Sequence, residues 1–103
     1  MKTGVEEIQV KYQRVNRGRR GHHVTVEYHD FIVRNYLTYG VNVDRWASQC
    51  NGIVDFEDST GATTLFCVTF SARKDAEKFI DRLNMVKRHL QNAIRRVNEP
   101  AAV

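Results

Sequence analysis

A chain of 103 residues fits a single domain spanning 1–103, and 42% hydrophobic with 27% charged residues excludes a disordered polymer. The net charge of +4 biases partners toward polyanions or acidic protein surfaces. No run of about eighteen apolar residues exists and Met1 to Glu7 lacks an export signal, so no integral membrane association is expected and the cytoplasm or nucleus is the default location.

Val5 to Val15 alternates, with Ile8, Val10 and Tyr12 on one side, as a half-buried strand does. Asn16-Arg17-Gly18-Arg19-Arg20-Gly21 then carries turn chemistry. His23 to Tyr28 resumes the alternation through Val24, Val26 and Tyr28. Phe31, Val33 and Tyr36 fall out of step, which reads as a bulge or tight turn after His29-Asp30. Leu37, Tyr39, Val41 and Val43 predict a further strand around Gly40. Asp44 is placed to cap a short helical turn through Arg45–Ser48 that ends near Asn51-Gly52. Ile53 to Glu57 and Ala62 to Phe70 form a hairpin, with Gly61 supplying the positive φ of its loop.

The last element is a long helix over about 72–97, with Ser71 as its N-cap and Asp75 and Glu77 near the positive end of its dipole. Its apolar stripe runs through Ala72, Ala76, Phe79, Leu83, Val86, Leu90, Ala93 and Val97, widened by Ile80 and Ile94. Roughly 26 residues give a helix of about 39 Å, whereas the strands reach about 20 Å. Val86, Leu90, Ala93 and Val97 are therefore expected to overhang the sheet and to seek a partner helix or a second copy of the chain. The resulting fold class is α+β: strands over about 5–70 forming a strongly bent antiparallel sheet of about five strands, packed by one long C-terminal helix.

The basic turn is the main functional signal. Arg14, Arg17, Arg19, Arg20, His22 and His23 fall within ten residues, joined by Lys11 on the preceding strand. Guanidinium forks match phosphate oxygens, and the glycines let backbone N–H groups approach an anion. The helix adds Lys78, Arg82, Lys87, Arg88, His89, Arg95 and Arg96. Turn and helix together point to phosphate contacts, with Lys11, Arg14, Arg17, Arg19, Arg20, His23, Lys87 and Arg88 as candidate anion-binding residues and nucleic acid as the first partner. Tyr12, Tyr28, Tyr36, Tyr39 and Trp46 are expected mostly in the core rather than as stacking platforms.

Cys50 and Cys67 are too few for a disulfide framework, and Cys67 reads as a small hydrophobe in a buried strand. No pair of His or Cys has metal-ligand spacing, and no phosphate-binding glycine loop before a helix or nucleophile elbow occurs. A non-enzymatic binding module without cofactor or metal is the expectation.

His23-Val24-Thr25-Val26-Glu27-Tyr28 and the run from Leu65 to Phe79 resemble the pleckstrin-homology-like superfold, in which a final strand feeds a C-terminal helix. The resemblance implies binding of inositol phospholipids, peptides or proline-rich segments, with Lys11, Arg17, Arg19 and Arg20 in the first hairpin loop as the anion-holding set. A protein-interaction or phosphoinositide-binding module, homodimeric through the C-terminal helix, is the alternative to nucleic-acid binding.

Overall fold

The computed structural model describes residues 7–16, 20–38 and 40–98, with the side chains of Thr60 and Asn98 set aside. The predicted contacts at Arg17 and Arg19, and the predicted aromatic Tyr39, lie outside the described residues.

Alternation produces two hairpins. β1 (Gln9–Val15) pairs antiparallel with β2 (Gly21–His29), and β3 (Ile53–Thr60) pairs antiparallel with β4 (Thr63–Phe70) through the two-residue link Gly61-Ala62, where Gly61 has φ 67°. β2 also pairs antiparallel with β4, giving one four-stranded sheet in the order β1-β2-β4-β3. In this register Tyr12, Val24 and Val68 align, as do Arg14, His22 and Phe70.

Four strands replace the expected five because the segment after His29 becomes helical. α1 (Asp30–Tyr36) begins where Asp30 N–H donates to the Ala62 carbonyl at 2.8 Å. The lost alternation at Phe31, Val33 and Tyr36 is thus a change to helical spacing, which places Val33 in the core and leaves Phe31 exposed. Leu37 to Val41, outside Tyr39, forms no strand but connects α1 to α2 (Val43–Gln49). The cap of α2 is Asn42 rather than Asp44, its Oδ1 accepting from Arg45 N–H at 3.0 Å. The helix ends with Asn51 at φ 60°, Asn51 N–H on the Ser48 carbonyl and Gly52 N–H on the Ala47 carbonyl. That pattern is a Schellman motif. Gly52 is required by packing: a Cβ there would meet the Phe70 ring at 2.5 Å and Val68 at 2.9 Å.

The long helix α3 (Arg73–Asn98) forms as the stripe predicts. Its first turn opens one residue later than expected, the Ala72 carbonyl accepting from Asp75 and Ala76 N–H. α3 lies across the even-numbered face of the sheet, where Val24, Val26, Phe66, Val68 and Phe70 meet Ala76, Phe79 and Leu83. Phe70 and Phe79 pack with ring centroids 5.3 Å apart. α1 and α2 contribute Val33, Val43 and Ala47 to the same cluster, so all three helices share one side of the sheet.

The expected overhang of α3 is shorter than its length suggests. Leu90 is 1% exposed and joins Ile8 and Val33 in the core, while Val86 and Ile94 pack partly against it. The segment before β1 supplies the missing cover: Glu7 accepts from Gln91 at 2.8 Å and pairs with Lys87 at 3.7 Å, bringing Ile8 onto that turn of helix. Ala93 is half-buried, and of the proposed interface set only Val97, at 67%, is largely exposed. No described helix is long and apolar enough to cross a membrane.

Burial above all, then the carboxylates of Asp30 and Glu57, pushes the Tyr28 phenol above its ordinary value, against an opposing hydrogen bond from Thr64. Below the unfolded chain's value near 10 both states keep the proton. Above it the unfolded chain releases its proton first, so stability falls as pH rises through that value toward the folded one.

Three outcomes follow for stability. In urea unfolding, Leu90→Ala is expected to cost about 2–5 kcal/mol, the range for emptying a buried leucine site, whereas Val97→Ala stays within about 0.5 kcal/mol. Gly52→Ala forces a methyl against two fully buried side chains and should cost about 1–3 kcal/mol. Above about pH 10 the urea midpoint of the parent chain should drop more steeply than that of Tyr28→Phe, which has no phenol to ionise.

Candidate anion-binding groove

Strand parity decides which cations of the basic turn meet. Lys11 and His23 are odd-numbered and lie on the sheet face that no described helix covers, beside Thr25, Cys67 and the exposed Phe56. Arg14 and His22 are even-numbered partners and lie on the helix side, in line with Phe70 at the end of β4. The candidate set is therefore split: Lys11 and His23 do not share a surface with Arg14. Cys67, expected in a buried strand, is likewise a half-buried residue of the open face, and both cysteines are free thiols.

Arg14 and His22 line an open groove together with Val15, Asn16, Arg20, Gly21 and Ser71. The groove exists because the first hairpin presses close to the exit of β4. A Cβ on Gly21 would lie 2.8 Å from the Phe70 carbonyl oxygen, and Gly21 has φ 136°, so only glycine lets the two backbones approach this far. The contribution of Gly21 is thus packing of the hairpin base, where the sequence suggested a backbone approach to an anion. Ser71 enters from the other wall, just ahead of α3.

Among the described residues no carboxylate lines this groove, and Arg14 and Arg20 are exposed. Among the described residues neither arginine forms an ion pair. Two permanently charged forks next to Asn16, His22 and Ser71 supply hydrogen-bond donors suited to phosphate oxygens. The N–H groups that open α3 add partial positive charge nearby, offset in part by Asp75 in the same turn.

His22 is held from outside the groove. The Tyr12 hydroxyl and His22 Nδ1 are hydrogen-bonded at 2.5 Å, and the two rings lie side by side with centroids 5.8 Å apart and planes 16° from parallel. Tyr12, expected in the core with the other aromatics, is 41% exposed because β1 is an edge strand and α3 covers β2 and β4 more fully. Neither Tyr12, Asn16, His22 nor Ser71 stood among the candidate contacts. Parity held the signal: His22 keeps step with Val24, and Arg14 with Tyr12 and Val10.

The helix cations do not join the groove. Lys87 pairs with Glu7 at the opposite end of β1, and Arg88 follows it, roughly 21 Å along α3 from Arg73 at 1.5 Å per residue. Arg82 sits 5.0 Å above the Trp46 ring and donates to Gln49 Oε1 at 2.9 Å, tying α2 to α3. Among the described residues no group of three His, Cys, Asp or Glu side chains could hold a metal ion. No family model, no curated protein and no solved structure matches the chain.

Proposed function

We propose that this protein is a non-enzymatic binding module for nucleic acid, and that it takes phosphate groups into the groove between the first hairpin and the start of α3. The observation that carries the reading is a groove wall of Arg14, Arg20, His22, Asn16 and Ser71 with no carboxylate among its described lining residues. Charge runs on protein surfaces are usually neutralised by neighbouring acids or spread over solvent, as Lys87 and Arg73 are here by Glu7 and Glu77. Arg14 and Arg20 instead converge from two ends of one turn whose sequence also carries Arg17 and Arg19.

Arg14 and Arg20 lead the contact in this reading. Lys11 and His23, on the other sheet face, and Lys87 and Arg88, at the far end of α3, are not part of it. Self-association through α3 has less support, since Leu90 is buried within the chain and Val97 is the one largely exposed residue of the expected seam.

The test is titration of a labelled oligonucleotide across a salt series. Affinity is expected to fall as salt rises, and the Arg14→Ala/Arg20→Ala double variant should flatten the log–log slope by roughly 1.4 for a single strand or 1.8 for a duplex, at about 0.7 or 0.9 per phosphate contact. Its thermal midpoint should match the parent's, because both side chains are exposed. A slope unchanged by the double variant sinks the reading.

A further inference from the structure

The ring pair beside the groove carries the reading further. Tyr12 is two residues before Arg14 on the same face of β1, roughly 7 Å away at 3.4 Å per residue. Its hydroxyl is fixed by His22 Nδ1, and the imidazole lies nearly parallel beside it with ring centroids 5.8 Å apart. Tyr12 still keeps 41% exposure on an edge strand. The ring is therefore oriented before any ligand arrives, and little rotamer entropy remains to be lost on contact.

We propose that Tyr12, braced by His22, is a stacking platform for one unpaired nucleobase, whose flanking phosphate is held by Arg14 and Arg20. This rests on the groove being a phosphate site, and it names the ligand: a single-stranded segment in place of a duplex. Every base has a π-face, so such stacking is tolerant of sequence. A duplex offers its internal bases only after unstacking, which costs a few kcal/mol per step. The two hydrogen-bonded rings sit on adjacent strands at a diagonal position, where an aromatic pair also supports the hairpin. A pair that served the hairpin alone would not distinguish ligands with bases from ligands without them, and that difference is the readout.

The experiment compares three labelled ligands at one low salt concentration: an oligothymidine strand, an abasic strand of the same length, and a duplex. The parent chain should bind oligothymidine most tightly. Tyr12→Ala should weaken oligothymidine binding by about tenfold or more while leaving the abasic strand unchanged. Tyr12→Phe, which retains the ring, should keep most of the affinity. Circular dichroism and thermal unfolding of each variant report whether the hairpin survives. Equal affinity of the parent for thymidine and abasic strands, tighter binding of the duplex, or equal losses on both strands in Tyr12→Ala overturns the platform. If these occur while Arg14→Ala/Arg20→Ala still flattens the salt dependence, the phosphate groove stands without it. Failure of the parent to bind any of the three ligands overturns both.

Discussion

Everything in this fold hangs on the register of β2 between β1 and β4. Side chains along a strand alternate with a period of two, so a slip of one residue would expose Val24 and Val26 and bury His23 and Thr25. The even-numbered residues of β2 and β4 are instead sealed under α3, with Val24, Val26, Val68 and Phe70 at 0% exposure. Burying each such side chain contributes about 1.5–3 kcal/mol, far more than any surface cation gains from one arrangement over another. Packing therefore decides where the arginines go. It puts Arg14 and His22 in line with Phe70 and sends Lys11 and His23 to the opposite face.

The same register polarises the molecule. Asp55, Glu57 and Asp58 all lie on β3, the edge farthest from β1. Three strand spacings of about 4.8 Å separate those edges, roughly 14 Å, which exceeds a Debye length of about 8 Å at physiological salt. Glu57 and Asp58 are set back along the sheet, opposite Phe66 and Leu65, whereas Asp55 accepts from Thr69 near the groove's end of β4. A net charge of +4 understates the local field, since among the described residues no carboxylate lines the groove that holds Arg14 and Arg20.

What the sequence made legible follows the strength of each packing signal. The stripe of α3 and the alternation of β4 are long and unambiguous, and both elements formed close to the expected bounds. Phe31 to Tyr36 misled because a short apolar run fits a bulged strand as well as one helical turn and a half. Asp44 was passed over as a cap for Asn42 because both residue types accept from a backbone N–H, and two positions cannot be separated by composition. Leu90 looked unpartnered because the counting of strand lengths ignored Ile8, whose docking depends on Glu7 bonding to residues 84 and 80 positions away. The basic turn was visible as composition, but its division between faces needed parity applied to polar residues as well as apolar ones.

Tyr12 shows why that matters for function. On an inner strand the same parity would have buried its ring under α3, as it does Tyr28 on β2. On the edge strand the ring is held at its hydroxyl by His22 and keeps 41% exposure, so a residue patterned for the core becomes an exposed aromatic two residues from Arg14. Electrostatics alone would make a weak and indiscriminate site here: two phosphate contacts give a shallow salt dependence, about 1.4 on the logarithmic scale for a single strand. Stacking on a pre-oriented ring adds attraction that salt does not screen. The two terms together favour a ligand that offers a phosphate and an unpaired base within a few ångströms of each other, which is the repeating unit of a single strand.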